Sequence, residues 1–334
     1  MNKILVTGGA GYIGSHTVVE LLDRGWDVIV LDNFAGSRRS VIERLKQIAK
    51  RSFDLVEADV RDKSAIDSVF STHPIDAVIH FAALKAVGES FDLPLDYYET
   101  NVAGTLNVLK AMRDHGVKRF VFSSSATVYG HPRENPIRED FPLCATNPYG
   151  RTKIVVEDVL RDVYASDKTW SIALLRYFNP TGAHSSGLIG ENPRGIPNNL
   201  MPYIAQVASG RLSQLTVFGN DYPTADGTGV RDYIHVVDLA IGHVKALELL
   251  NSGPGLRTYN LGTGRGYSVM EMIAAFETAT GSPIPYKVVG RRPGDIATCY
   301  ADPTLAQNEM GWKAQRGIVE MCADAWRWQQ NCPD

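Results

Sequence analysis

Lys-Ile-Leu-Val-Thr-Gly-Gly-Ala-Gly-Tyr-Ile-Gly, residues 3–14, is the stretch whose reading decides the fold. Its apolar run predicts a strand. Gly8, Gly11 and Gly14 then lead into a helix that runs to about Arg24, where Gly25 ends it. Gly9-x-Gly11-x-x-Gly14 also satisfies the spacing that gives a tight turn, close backbone approach to a pyrophosphate, and packing of helix on strand. The helix start offers unpaired N–H groups and a positive dipole end to the phosphates. Glycine turns are common, so the context matters. A second apolar run, Val28–Leu31, ends in Asp32, 18 residues past Gly14. A carboxylate there accepts hydrogen bonds from ribose hydroxyls and favours NAD over NADP. Arg38 and Arg39 can attract a 2′-phosphate, which Asp32 repels.

Further apolar runs at 54–57, 77–81, 119–122 and 172–176 alternate with helical patterns around 64–71, 95–115 and 148–165. Fully apolar strands between helices predict an α/β fold with a doubly wound parallel sheet, of the Rossmann type. Beyond residue 178 the texture turns rich in Gly, Pro and Asn. This predicts a Rossmann domain over 1–178 and a smaller C-terminal α/β lobe over 179–334, with segments near 233–261 able to return to the first. The lobe should contain a helix at 200–209 and a short strand at 215–218.

The 334 residues carry a net charge of −3, which gives no support for nucleic-acid or membrane-surface binding. The four cysteines show no C-x-x-C and the eight histidines no ligand spacing, so neither disulfides nor a metal site are expected. No signal peptide or membrane span is read in the chain, and a cytoplasmic location is expected.

Asn-Pro-Tyr-Gly-Arg-Thr-Lys, residues 147–153, places Tyr149 and Lys153 four apart, on one helix face. Asn147 and Pro148 supply the cap and first-turn proline of that helix. A phenol ordinarily ionises near a pH of about 10, and a neighbouring ammonium favours the phenolate. An isolated Tyr-x-x-x-Lys is usually an ordinary surface pair. Here it lies downstream of the glycine loop, and Ser123-Ser124-Ser125 ends a central strand where such folds bind ligands.

Glycine loop, strand-end hydroxyls and Tyr-Lys pair together resemble the extended short-chain dehydrogenase/reductase family. Within it the chain is similar to the 4-epimerases of UDP-hexoses. The likeness spans nearly the whole chain, through Phe-Ala-Ala-Leu-Lys-Ala-Val-Gly-Glu-Ser (81–90), Arg-Tyr-Phe-Asn-Pro-Thr-Gly-Ala-His (176–184), Gly-Ile-Pro-Asn-Asn-Leu-Met-Pro-Tyr (195–203) and Gly-Val-Arg-Asp-Tyr-Ile-His-Val (229–236). It implies reversible epimerisation of UDP-glucose and UDP-galactose through a 4-keto sugar, with NAD regenerated in place. Tyr149 would take the proton from the sugar 4-hydroxyl, Lys153 would depress its pKa, and Ser125 would hydrogen-bond the reacting oxygen.

The resemblance implies cofactor contacts from Gly8, Gly11, Tyr12, Ile13 and Gly14, and from Asp32, Asn33, Ser37, Asp59 and Val60. It adds Phe81, Ala82, Ala83, Lys85, Thr100, Asn101 and Phe178 beside Tyr149 and Lys153. Asp59 can meet the adenine edge or simply face solvent. The UDP-sugar would meet Ser125, Asn179, Asn198, Asn199, Leu200, Thr216, Phe218, Arg231, Tyr233, Arg292, Asp295 and Cys299. A homodimer through helices like 95–115 and 148–165 is implied as well.

Two positions depart from the narrow pattern. Cys299 stands where epimerases restricted to UDP-glucose and UDP-galactose carry Tyr, and a small residue there accompanies acceptance of UDP-N-acetylglucosamine and UDP-N-acetylgalactosamine. It can equally be a small packed hydrophobe. Thr100 replaces a common Asn, so one of the family's cofactor hydrogen bonds is open here. Ala126-Thr127 lack the acidic pair that sugar-nucleotide dehydratases use, which disfavours dehydration. The alternatives are another nucleotide-sugar epimerase or dehydrogenase of the family, or a catalytically silent NAD-binding regulator, against which Tyr149, Lys153 and Ser125 all argue.

Overall fold

The computed structural model describes residues 3–193, 195–292 and 294–332. The first half holds strands β1 (Lys3–Thr7), β2 (Asp27–Asp32), β3 (Asp54–Glu57), β4 (Ala77–His80), β5 (Arg119–Ser125) and β6 (Ser171–Tyr177). Between them run α1 (Tyr12–Asp23), α2 (Ser40–Ala49), α3 (Lys63–Thr72), the short α4 (Glu89–Asp92) and α5 (Pro94–Tyr98), α6 (Gly104–Asp114) and α7 (Pro148–Ser166). The second half begins with β7 (Asn179–Thr181), α8 (Leu200–Ala208), β8 (Leu215–Phe218), β9 (Val230–His235), α9 (Val236–Leu249) and β10 (Gly255–Leu261). It ends with β11 (Gly266–Ser268), α10 (Val269–Thr280), β12 (Tyr286–Val289), β13 (Thr298–Cys299), α11 (Thr304–Met310) and α12 (Ile318–Asn331).

Seven parallel strands form the main sheet in the order β10-β6-β5-β4-β1-β2-β3. The order reverses between β1 and β4, so a crevice for a ligand opens beyond the carboxyl ends of these strands. The inner strands β1, β2, β4, β5 and β6 are buried because both faces are covered, whereas the edge strand β3 is largely exposed. On one face Val18 and Leu21 of α1, Leu45 of α2 and Leu239 and Leu247 of α9 meet Val6, Val30, Ile79 and Leu175. On the other, Ile66 of α3, Val108 and Met112 of α6, and Val156 and Leu160 of α7 meet Leu5, Ile29, Val78, Phe122 and Leu174. Each such side chain contributes about 1.5–3 kcal/mol on burial, so tertiary packing more than helix propensity holds these helices.

The smaller lobe joins β11-β9-β13, with β7 also on β9, and a parallel β8-β12 pair. Helices α8, α10 and α12 pack over them around Ile204, Val217, Tyr233, Phe276 and Met321. Strand β10 lies in the main sheet beside β6, and α9 covers that sheet next to α1. Among the described residues no helix is long and apolar enough to cross a membrane.

The helical pattern at 95–115 is not one regular helix. It is α5, a π turn at Glu99–Ala103, and α6. The turn is wider by one residue, and it presents the buried Asn101 to two neighbouring elements. Its amide oxygen accepts from the Leu84 N–H at 2.8 Å, and its nitrogen donates to the Leu84 carbonyl at 3.0 Å and to Thr152 Oγ1 at 3.0 Å. The Thr152 hydroxyl donates in turn to the Tyr149 carbonyl at 2.7 Å. A π turn at such a place is a common mark of a functional site.

Candidate active site

The glycine loop is as tight as its spacing requires. Gly8 has φ +68°, and a Cβ there would lie 2.8 Å from the Ala82 nitrogen. A Cβ on Gly14 would lie 2.2 Å from the Gly8 carbonyl oxygen, so only hydrogen lets α1 start this close to β1. Gly11 caps α1 with extended backbone and no capping side chain, leaving the first-turn N–H groups of Tyr12 and Ile13 toward the crevice. The buried Asp32 carboxylate braces this loop: it accepts from Ala10 N–H at 3.0 Å, Phe34 N–H at 2.8 Å and Ser37 Oγ at 3.0 Å.

Asp59 is tied rather than free. Asn33 donates to it at 2.8 Å, and the Arg61 side-chain hydrogen bonds hold its carboxyl down at about 2 despite partial burial. Val60 is buried against the start of α6, where a Cβ on Gly104 would meet its Cγ2 at 2.7 Å. Phe81, Ala82 and Ala83 follow β4 directly, closing over Gly8. Thr100 lies in the π turn beside Asn101. The Tyr12 hydroxyl crosses to the smaller lobe and donates to the Gly182 carbonyl at 2.7 Å.

Helix α7 starts as its sequence predicts, with Pro148 in the first turn and the Asn147 side chain accepting from Gly150 N–H at 2.8 Å. It carries buried Tyr149 and Lys153 along β5. The Lys153 ammonium donates to the Ser123 carbonyl at 2.7 Å and sits 5.8 Å from the centre of the Tyr149 ring. Burial pushes the Tyr149 phenol up to about 12, while a hydrogen bond with Ser125 pulls the other way. Burial also lowers Lys153 to about 7, opposed by the Glu157 charge. Ser125 Oγ accepts from Thr127 Oγ1 at 3.0 Å and its N–H at 3.2 Å. The structure therefore brings a phenol, an amine and a hydroxyl into one buried site, where burial pushes the phenol up and the amine down.

In the smaller lobe, strand pairing sets Asn179 against Tyr233 and Arg231 against Cys299. Asp295 draws two cations together: Arg292 lies 3.0 Å and Arg231 3.9 Å from its oxygens. The Arg292 guanidinium also lies over the Phe218 ring at 4.8 Å. Thr216 sits two residues before Phe218 on β8, its hydroxyl 3.4 Å from the Tyr203 hydroxyl. Asn199 caps α8, whose first residue is Leu200, and Asn198 precedes it. Asn199 donates to Glu191 at 2.7 Å, and Lys85 reaches the same carboxylate oxygen at 3.1 Å. Cys299 and Ala126 pack against one cluster, around Val128, Tyr129 and Phe178. Its thiol is pushed up to about 11 by burial, so it is uncharged at neutral pH.

Four groups escaped the sequence reading. Tyr97 stacks edge-on against Tyr149 with ring centres 6.5 Å apart. The Tyr177 hydroxyl meets the Ser123 hydroxyl. Glu191 joins Lys85 to Asn199 across the lobes, and Glu157 sits beneath Lys153. Of these, Glu157 alone left a signal, since it continues the four-residue spacing of Tyr149 and Lys153. His80 lies beneath the site too, but Thr7 at 2.7 Å and Thr105 at 2.9 Å satisfy both ring nitrogens, and burial holds it near 3.

Residues 5–325 match the family described as GDP-mannose 4,6 dehydratase. The chain is 63% identical to a UDP-glucose 4-epimerase of Bacillus subtilis (strain 168), over 98% of this chain and 97% of that one. It is similar to the UDP-glucose 4-epimerase of Bifidobacterium longum solved with NAD+ and UDP, with TM-score 0.96 and 54% identity over 99% of both chains. The Stenotrophomonas maltophila enzyme, solved with NAD and formylated UDP-arabinopyranose, superposes with TM-score 0.97 at 53% identity, over 99% of this chain and 98% of that one. With the glycine loop, the parallel sheet and the Tyr149–Lys153–Ser125 site, these likenesses establish that the chain belongs to the UDP-glucose 4-epimerases of the extended short-chain dehydrogenase/reductase family.

Proposed function

We propose that this chain is an NAD-dependent isomerase that interconverts UDP-glucose and UDP-galactose at C4 through a transient 4-keto sugar, and that it accepts the 2-acetamido counterparts. The single observation that carries the reading is the buried Tyr149 phenol beside Lys153 and Ser125 at the carboxyl end of β5, two strands from the glycine loop's β1. The residues fit the cofactor: Gly8 and Gly14 would keep the phosphate approach clear, and Asp32, fixed by the Ala10 and Phe34 N–H groups at the end of β2, would meet the ribose. When bound, NAD supplies a reversible acceptor for the C4 hydride.

The chain's own residues handle the proton. Tyr149 takes it from the 4-hydroxyl and returns it, Ser125 hydrogen-bonds the reacting oxygen, and Lys153 supplies positive charge. Lowering the phenol from about 12 to near neutrality requires roughly 7 kcal/mol of differential stabilisation. The positive charge of Lys153 would contribute to that stabilisation. Arg231 and Arg292 suit the diphosphate, because permanently charged guanidinium groups form forked hydrogen bonds. Ala126 and Thr127 follow Ser125 and offer no carboxyl group, which disfavours removal of a C5 proton and expulsion of a C6 hydroxyl.

A coupled assay on the four UDP-sugars tests the reading. All four turn over with no net consumption of added NAD. Accumulating NADH would make the chain a net dehydrogenase. Failure on the acetamido pair alone would restrict it to hexoses.

The same reading includes a homodimer. Phe91 of α4 and Leu95 of α5 are 60% and 82% exposed, an apolar edge beside the helices the family pairs. Light scattering should give twice the chain mass, and a monomer mass would overturn this.

A further inference from the structure

Tyr149, Lys153 and Glu157 stand at successive four-residue steps on α7, and all three are buried. Each meets one of the three serines that end β5. Ser125 hydrogen-bonds the phenol, the Ser123 carbonyl accepts from the ammonium at 2.7 Å, and Ser124 Oγ donates to Glu157 Oε1 at 2.6 Å. The third contact lies outside the chemistry and ties a fully buried carboxylate of the helix to β5.

The Glu157 carboxylate is fully satisfied. Arg176 of β6 grips both oxygens, with Nε at 2.9 Å from Oε1 and Nη2 at 2.6 Å from Oε2. Arg161, one turn on, reaches Oε2 at 2.7 Å. Burial opposes the Glu157 charge, but the Arg176 and Ser124 hydrogen bonds outweigh it and hold the carboxyl below its usual range. Arg176 continues to the Tyr129 hydroxyl and the Glu139 carbonyl, both at 3.0 Å, and Tyr129 donates to Asn260 of β10 at 2.7 Å. The network thus binds α7, β5, β6, β10 and the segment after Ser125 into one body. A buried ion pair can be replaced by apolar packing at little cost to stability, so stability alone is a weak account of this one.

We propose that Glu157 is a positioning residue for the Tyr149–Lys153 pair: it fixes α7 in register with β5 and places a negative charge one helical turn from the Lys153 ammonium. The proposal rests on the reading of Tyr149 as the base. The groups facing Lys153 are Tyr149 and Glu157 on its own helix, Phe122 and the Ser123 carbonyl on β5, and His80 on β4, with Tyr177 of β6 behind Ser123. Of these, Glu157 brings the negative charge, and Lys153 lies near 7 even with it. Without it the ammonium loses its proton at lower pH, and the phenol then ionises at higher pH.

The test compares Glu157→Gln, Glu157→Asp and Ser124→Ala with the native enzyme, reading kcat, KM and pH profiles. Ultraviolet difference titration of each protein against its Tyr149→Phe counterpart reads the phenol directly. Glu157→Gln should leave KM within about twofold and move the alkaline limb of kcat down by about one pH unit, with the phenol titration moving up. Glu157→Asp keeps the charge and should restore the limb. Ser124→Ala should lower kcat roughly threefold with the limb unmoved, since only the tether is lost. A folded Glu157→Gln enzyme with native limb and phenol titration overturns the proposal. Should that variant fail to fold, native kcat in both Glu157→Asp and Ser124→Ala overturns it, and reduced kcat with an unmoved limb in both upholds it. A native enzyme whose turnover survives Tyr149→Phe would instead sink the assignment of the base, whatever Glu157 does.

Discussion

Tyr149→Phe should lower kcat by about 10²- to 10⁴-fold while KM for the UDP-sugar stays within a few-fold. The substitution removes one oxygen and leaves the ring. Its edge contact with Tyr97, its burial and the start of α7 are all kept, so the fold has no reason to change. Among the described residues, the other acceptors near the reacting oxygen are poor substitutes. Ser125 is a hydroxyl already engaged with Thr127, and burial holds the Tyr177 phenol above its ordinary value. The groups proposed to grip the nucleotide sit in the other lobe, around Asp295, so binding should survive. Steady-state kinetics on UDP-galactose decide the matter. Retention of full turnover would remove Tyr149 from the mechanism.

Cys299→Tyr should cut turnover of UDP-N-acetylgalactosamine by roughly 100-fold or more and leave UDP-galactose within a few-fold. Cys299 lies at the join of the two lobes. Its backbone pairs with Arg231 of β9, and its side chain packs with the cluster of Ala126, Val128 and Phe178, directly after Ser125. On the proposed reading, ring volume added there would fill space next to the sugar and spare the diphosphate groups. The thiol is uncharged at neutral pH, so the substitution changes volume without removing a charge. Competition assays with the two substrates give the ratio. If acetamido turnover persists at the native level, the 2-substituent is accommodated elsewhere and Cys299 is a packing residue.

Much of this was legible because the strongest signals are local. The strand runs at 54–57 and 215–218 are reproduced to the residue, since apolar residues bounded by turn formers leave little freedom. Tyr149 and Lys153 declared themselves by helical spacing and by a cap that fixes where the helix begins. The π turn at Glu99–Ala103 did not, because Glu-Thr-Asn-Val-Ala contains neither Gly nor Pro and a widened turn needs neither. Glu191 and Tyr177 were silent for a different reason. Their partners, Lys85, Asn199 and Ser123, lie 106, 8 and 54 positions away, so only the folded chain joins them. The fate of residues 233–261 needed the sheet itself: β10 extends the main sheet at β6, a pairing of strands more than 80 residues apart that periodicity alone does not encode.

That placement of β10 bears on how such a protein can be cut and recombined. The chain leaves the main sheet after β6, builds part of the smaller lobe through β9, comes back as α9 and β10, and departs again with β11. Severing it after residue 178 would strip β6 of its neighbour along seven residues and bare the surface that α9 shields beside α1. The two halves are therefore not exchangeable cassettes joined at a single seam. A chimera with new sugar preferences would have to splice on both sides of the α9–β10 return, keeping that segment with the main sheet it completes.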